Sequence, residues 1–92
     1  MEIEDYLVNE AKVYISVNVY HRSDGRILPR SFIWEDGRCF TVDQIIDIRP
    51  AASLKAGGAG LRYTVRVCNR ETFMFLEENK EGERWFMERK MR

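Results

Sequence analysis

The chain of 92 residues is 45% hydrophobic and 33% charged, and its basic and acidic side chains balance to a net charge of zero. This composition excludes a disordered chain and fits a single globular domain over residues 1–92. No apolar run approaches the roughly 18 residues of a membrane-spanning helix, and the acidic N-terminus is unlike a signal peptide. We therefore expect a cytoplasmic protein without a membrane partner.

The first eleven residues allow two interpretations. Ile3, Tyr6 and Leu7 have helical spacing, which is consistent with a short helix, but chain termini also commonly form frayed arms. We predict that residues 1–11 form an N-terminal arm or short helix and that residues 12–90 form a β-barrel.

The clearest signal is the alternation of apolar and polar residues from Lys12 to Tyr20, which predicts a half-buried strand. Its predicted inward side chains are Val13, Ile15, Val17 and Val19. An Asp-Gly pair at residues 24–25 favours a tight hairpin turn with positive φ at both positions. Residues 26–34 then form the returning strand, where Pro29 predicts an edge or a bulge because proline donates no ladder hydrogen bond.

A second Asp-Gly pair at residues 36–37 indicates a meander. The next strand begins at Phe40, is broken or bent near Asp43 and Gln44, and ends at Pro50. Its predicted inward side chains are Phe40, Val42, Ile46 and Ile48. Residues 51–60 are predicted to be a loop.

Three further strands complete the predicted set. Residues 61–67 alternate, with Tyr63, Val65 and Val67 inward, and Asn69 can turn the chain because asparagine tolerates the left-handed region. Residues 72–77 form another strand, and a charged turn over 78–83 leads to residues 84–90. Adjacent aromatic residues there favour a strand over a helix.

Six to seven short antiparallel strands must hide their edges, and curling into a small barrel is the usual solution. We predict an all-β antiparallel meander curled into an SH3-like or partly open barrel, with at most one short helix.

Four segments together resemble a family of small uncharacterised proteins from Gram-positive anaerobic bacteria. They are Trp34-Glu35-Asp36-Gly37-Arg38, the segment Ala51-Ala52-Ser53-Leu54-Lys55-Ala56-Gly57-Gly58-Ala59-Gly60, Arg62-Tyr63-Thr64-Val65-Arg66, and Arg84-Trp85-Phe86-Met87-Glu88. The resemblance spans residues 13–90. It implies a single-domain bacterial protein in the cytoplasm, and it implies no catalytic residues because the family has no assigned activity.

The sequence does not favour an enzyme or a metal protein. His21, Ser23 and Asp24 crowd a single hairpin, where serine and aspartate ordinarily serve the turn. Cys39 and Cys68 are predicted to be reduced, buried thiols rather than a disulfide. Without a cysteine and histidine cluster we expect no metal site and no cofactor.

The segment 48–70 is a candidate binding region because all of its charged residues are basic. Its basic residues are Arg49, Lys55, Arg62, Arg66 and Arg70, and no acidic residue interrupts them. Arg62 and Arg66 share the predicted outward face of one strand, the footprint of a nucleic-acid binder. Cross-strand pairing with Glu71 or Glu77 is the alternative, because opposite charges commonly pair across strands.

Two further sets of residues allow a binding role. Tyr14 and Tyr20 fall on the outward face of the first strand, where they could fill a protein interface or stack on bases. Glycines at 57, 58 and 60, with Lys55, could cradle an anion, although a simple connecting loop explains the same residues.

These observations predict a non-enzymatic interaction module whose partner is another protein or a second copy of the chain. A nucleic-acid-binding barrel that uses its basic strand face is the alternative hypothesis. A binder of a small anionic ligand, using the glycine-rich loop with Gly57, Gly58 and Gly60, is a more distant one.

Overall fold

The computed structural model describes residues 12–51, 59–79 and 82–89, so the prediction for residues 1–11 lies outside it. This part of the chain forms seven antiparallel strands and no helix, which confirms the all-β prediction. No helix that could cross a membrane therefore exists among the described residues. The strands are β1 (Lys12–His21), β2 (Ile27–Ile33), β3 (Cys39–Thr41), β4 (Gln44–Pro50), β5 (Ala59–Val67), β6 (Arg70–Asn79) and β7 (Gly82–Glu88).

The sheet curls until its two edges meet at one end. Its strand order is β3-β2-β1-β7-β6-β5-β4, yet only Val42 and Asp43 separate the two edge strands along the chain. Such a connection reaches only about 10 Å. The Val42 N–H donates to the Arg30 carbonyl of β2, and the Asp43 N–H donates to the Arg66 carbonyl of β5, both at 2.9 Å. The result is the predicted partly open barrel.

The first two hairpin turns lie where the Asp-Gly pairs predicted them, but their geometry differs. In the first turn, Gly25 has positive φ (93°) and Asp24 does not. The carboxylate of Asp24 accepts the Arg26 N–H at 3.1 Å. The turn at residues 35–37 repeats this arrangement, with Gly37 at φ 90°. The predicted positive φ at the aspartate is wrong, because each aspartate caps a three-residue loop in which only the glycine has left-handed backbone.

Two register shifts bend the sheet. The shift between β1 and β2 lies beside Pro29, as predicted for a proline that cannot complete the ladder. The second makes Ile46 an extra residue in β4. Ile45 and Ile48 therefore pack against the core while Ile46 is 42% exposed, so its predicted inward position is wrong.

The core fills the concave side of the sheet. Its buried hydrophobic residues are Val13, Phe32, Tyr63, Val65, Val67, Met74, Leu76, Trp85 and Met87. The other residues predicted to face inward, apart from Ile46, pack partly buried against this set. The Tyr63 hydroxyl donates a hydrogen bond to the Ile27 carbonyl, which joins β5 to β2 across the interior.

Of three local predictions, one is confirmed and two are wrong. The turn predicted at Asn69 exists, and both Cys68 (φ 51°) and Asn69 (φ 62°) are left-handed there. Cys39 and Cys68 are free thiols, but both are exposed, so the predicted burial is wrong. One lies on a short edge strand and the other in a turn, where neither can reach the core. The predicted loop over residues 51–60 is too long, because β5 already begins at Ala59.

Candidate functional site

The convex side of the sheet carries a row of aromatic rings. Burial of Tyr63 and Val65 turns Arg62, Thr64 and Arg66 outward, as the alternation predicts. The row across β5, β6, β7 and β1 runs through Arg62, Phe75, Phe86 and Tyr14. Phe73 lies one outward position from Phe75 along β6. We call Tyr14, Phe73, Phe75 and Phe86 the aromatic face.

The rings of the aromatic face contact one another. Phe75 and Phe86 stack with centroids 4.8 Å apart, and Tyr14 meets Phe86 edge-on at 5.8 Å. Tyr14 and Phe73, at the two ends of the cluster, are 42% and 43% exposed. Since the solvent side of an antiparallel sheet is normally polar, this cluster is not explained by packing of the core.

Three cations lie over these rings. The Arg84 guanidinium is 3.5 Å from the centroid of Tyr14, and that of Arg62 is 4.7 Å from the centroid of Phe73. The Lys12 ammonium is 4.3 Å from the centroid of Phe86. At these distances the negative face of each ring attracts the cation.

A polar network crosses the middle of the aromatic face. Lys12 Nζ lies 3.4 Å from Glu77 Oε2, and the Tyr14 hydroxyl donates to Glu77 Oε1 at 3.1 Å. The side chains of Lys12 and Glu77 are only 13% and 17% exposed. They therefore form a partly desolvated pair over Phe86, unlike an ordinary surface salt bridge.

Two arginines of the predicted basic stripe have neighbouring carboxylates. Arg49 Nε lies 2.7 Å from Asp47, and Arg66 lies 3.7 Å from Glu71, one of the two cross-strand partners considered for it. Arg62 has no carboxylate within 4 Å among the described residues. Lys55 lies outside the described part of the chain. Within residues 44–50 and 59–67, carboxylates thus accompany two of the three predicted binding arginines.

The other predicted binding residues do not join this face. Tyr20 is 52% exposed near the far end of β1, where its ring lies 5.8 Å from the Arg30 guanidinium. Gly57 and Gly58 lie outside the described residues. Gly60 is a strand residue whose carbonyl accepts the Ala51 N–H, and a Cβ there would meet the Leu76 carbonyl at 3.1 Å. Close strand packing thus accounts for this glycine.

In the hairpin at residues 21–27, the structure shows the contacts of Asp24. The carboxylate of Asp24 accepts the Arg26 N–H at 3.1 Å and lies 3.3 Å from Arg22 Nε, so it serves the turn. No group of three or more potential metal ligands occurs within residues 12–51, 59–79 and 82–89.

A second candidate site is the cleft where the barrel stays open, between the start of β2 and β4. Its volume is about 680 Å³. Its aliphatic lining is formed by Ile27, Leu28, Ile45, Ile46, Ile48 and Leu61, and Tyr63 also contributes. Arg26, Asp47 and Glu78 supply polar groups.

The sequence analysis missed the phenylalanines of the aromatic face. In β6, Phe73 and Phe75 alternate with Met74 and Leu76, so both faces of this strand are apolar and alternation cannot choose between them. Phe86 lies between Trp85 and Met87 and presents the same ambiguity. The apolar character of both faces could have indicated a second apolar surface, because a strand at the surface of a domain needs only one apolar face to pack against the core.

Comparison with models of protein families, with curated proteins and with solved structures finds no match to this chain.

Proposed function

We propose that the protein is a non-enzymatic interaction module that associates with a second copy of itself through the aromatic face. The supporting observation is a connected set of four rings on the convex side of the sheet, with Tyr14 and Phe73 open to solvent. Aromatic residues and arginine are enriched at the centres of protein interfaces, and aromatic anchors carry much of their binding energy.

The charges around this face favour a protein partner over nucleic acid. Arg49 and Arg66 are paired with carboxylates, and Arg62 and Arg84 lie over rings. Nucleic-acid affinity comes mainly from cations that reach phosphates. A surface whose cations are already engaged supplies little of that attraction, while its rings still provide area to bury.

The strand register makes the face complementary to itself. Glu77 is opposite Arg84, and Phe75 is opposite Phe86, across the β6–β7 pair. Consider a two-fold axis that lies above the aromatic face, parallel to β6 and β7 and midway between them. It sets Glu77 of one copy against Arg84 of the other and stacks Phe75 on Phe86. Symmetric pairs of this kind are how two-fold interfaces form. The zero net charge of the chain adds no long-range repulsion.

Sedimentation velocity over a wide concentration range tests the proposal. We expect the wild-type chain to pass from monomer to dimer, and Phe73→Ser to stay monomeric at concentrations where the wild type is dimeric. Tyr20→Ser is the matched control, because Tyr20 is 52% exposed, slightly more than Phe73, but lies outside the aromatic face. A monomeric wild type throughout, or equal effects of the two substitutions, would contradict the proposal.

Nucleic-acid binding is the second candidate, supported by the Arg62–Phe73 pair. A guanidinium beside an exposed ring can stack a base and contact a phosphate of single-stranded nucleic acid. A titration with mixed-sequence DNA and RNA at low salt tests it. If Arg62 and Arg66 each neutralised a phosphate, Arg62→Gln with Arg66→Gln would reduce the slope against log salt by about 1.4, at roughly 0.7 per phosphate. We expect no binding.

Three finer features belong to the same proposal. An SH3-like barrel type is supported by the closure of the sheet over two residues at Val42–Asp43. A cytoplasmic location is supported by the two exposed, free thiols, which a reducing compartment preserves. An anionic-ligand site at Lys55, Gly57 and Gly58 stays a prediction, since these residues lie outside the described chain.

A further inference from the structure

We infer that the cleft between β2 and β4 binds an extended peptide segment as an additional strand, with aliphatic side chains facing the cleft lining and a basic residue at the Glu78 end. This inference goes beyond the proposed self-association and uses a different surface, on the open side of the barrel.

The cleft suits a peptide in size and lining. Its volume of about 680 Å³ lies in the usual range of ligand sites, about 300–1,000 Å³. Isoleucine and leucine side chains from β2, β4 and β5 line it, while the polar groups come from Arg26, Asp47 and Glu78. This mixed lining, with aliphatic side chains beside charged ones, suits a strand whose inward side chains are apolar and include one charged residue, since every second side chain of a strand faces the same way.

The first wall of the cleft is an unpaired strand edge. β4 is the last strand of the sheet, and within the described residues only β5 pairs with it along its length. The Ala51 N–H donates to the Gly60 carbonyl at 3.0 Å, which directs the backbone of residue 51 toward β5. Because antiparallel backbone groups alternate in direction, the N–H and carbonyl of Ile48 point away from β5.

The opposite wall is a second strand edge. The Arg22 N–H donates to the Arg26 carbonyl, so the next residue, Ile27, directs its backbone away from β1. The Tyr63 hydroxyl already donates to the Ile27 carbonyl, so the Ile27 N–H is the group that can pair with a peptide. β3 pairs only with residues 31–33 of β2 and does not cover this part. An extended peptide adds to an exposed strand edge through backbone hydrogen bonds, and here it would lie between two such edges.

The bulge in β4 supports the same site. It inserts Ile46 as an extra residue and turns its side chain to the cleft, although the side chain remains 42% exposed. Bulges occur preferentially at sheet edges and beside functional sites, where they redirect a side chain. A solvent-exposed isoleucine at this position has no role in the core, and contact with a bound apolar residue would give it one.

The charges give the peptide its polarity. Burial raises the pKa of Tyr63, and the carboxylates of Glu83 and Glu78 raise it further, so two carboxylates lie near this end of the cleft. The lining cation Arg26 lies 4.0 Å from Asp24. Asp47 is already paired with Arg49 at 2.7 Å. A lysine or arginine beside Glu78 therefore completes the match, and an acidic residue there is repelled.

Fluorescence anisotropy tests the inference with labelled peptides of about eight residues, a common strand length. The probes alternate valine and threonine and carry arginine at either the N- or the C-terminal end. We expect saturable binding with a preference for one placement of the arginine. Ile46→Asp should weaken binding about tenfold or more, since a charge would face the apolar residue. Ile33→Asp is the control, because Ile33 is 48% exposed on β2 but does not line the cleft.

A second set of measurements separates strand pairing from simple apolar contact. Methylation of alternate backbone nitrogens in the peptide should abolish binding, and Glu78→Lys should remove the preference for arginine. Phe73→Ser should leave peptide binding unchanged, which keeps this outcome distinct from that of the self-association experiment. Absence of binding, equal binding of the methylated peptide, or equal effects of Ile46→Asp and Ile33→Asp would overturn the inference.

Discussion

The concave and convex faces of β6 and β7 are both apolar, and they differ in what covers the apolar side chains. On the concave face, other strands of the curled sheet cover Met74, Leu76 and Trp85, which are almost fully buried. On the convex face, the side chains of Lys12 and Glu77 cross Phe86, and no second layer of backbone lies over it within the described residues.

This difference separates a structural role from a binding role. Burial by backbone removes apolar surface from water permanently and stabilises the fold, whereas a cover of two side chains can be displaced by a partner. The side chains on both faces are apolar, so hydropathy alone does not distinguish the two faces. The two faces differ in what covers them, by backbone on one and by two side chains on the other. Substitutions on the two faces should therefore have different consequences.

The largest effect is expected on the concave face. Leu76→Ala should lower the free energy of unfolding by about 2–5 kcal/mol, because Leu76 is 1% exposed and its truncation leaves a cavity. Phe73→Ser, three residues earlier on the convex face, should change it by no more than about 0.5 kcal/mol. Urea unfolding, monitored by tryptophan fluorescence at a concentration where the chain is monomeric, measures both. Similar losses for the two variants would contradict the comparison.

Removing the hydroxyl of Tyr63 should have the next largest effect. Tyr63→Phe keeps the buried ring but leaves the Ile27 carbonyl without its donor, which should cost about 1–3 kcal/mol. Tyr20→Phe is the control at an exposed position, and it should be neutral.

The same tyrosine predicts a loss of stability at high pH. Because burial raises the pKa of Tyr63 above its usual 10.0, the neutral hydroxyl is favoured in the folded state. Its contribution should be fully present below pH 10 and lost as the pH rises through the folded pKa. Unfolding of Tyr63→Phe measured against pH should lack this component.

A smaller effect is expected for the polar cover of the aromatic face. Glu77→Gln removes the charge that pairs with Lys12 and weakens the bond from the Tyr14 hydroxyl, so we expect a loss of about 1 kcal/mol. Glu71→Gln breaks the more exposed pair with Arg66 and should cost only a few tenths of a kcal/mol. Thermal unfolding of the two variants compares them. Equal losses would show that Lys12 and Glu77 behave as an ordinary surface pair.

The smallest effect concerns an ion pair at the surface. The Arg89 guanidinium donates to both oxygens of Glu35 and lowers the pKa of that carboxylate below its usual 4.5. Its small stabilisation should be present above pH 4.5 and lost as the pH falls through the lowered pKa. Glu35→Gln should remove this acid-dependent part, which acid titration monitored by circular dichroism detects. An unchanged acid transition would assign no stabilising role to the pair.

Much of the fold could be predicted because strands with one polar face carry their facing in the sequence. Val13, Ile15, Val17 and Val19 alternate with polar residues, and all of them face the core. Prediction was wrong at Ile46, where a bulge reverses the parity of the strand, since a bulge depends on how β4 meets β5. The candidate site was predicted only in part. Tyr14 and Arg62 belong to it, but Tyr20 and Arg49 do not lie among its rings.

The sequence by itself determined the strands, the positions of the turns and most inward-facing residues, because these depend on neighbours along the chain. The tertiary structure decided which strands pair, where the barrel closes and which residues meet across the sheet. Tyr14, Phe73 and Phe86 come together only through the β1–β7 and β6–β7 registers, and the cleft exists only because the sheet closes at Val42–Asp43 and stays open at Ile27 and Ile48. Register and closure join residues far apart in the chain, and no pattern of period two contains that information.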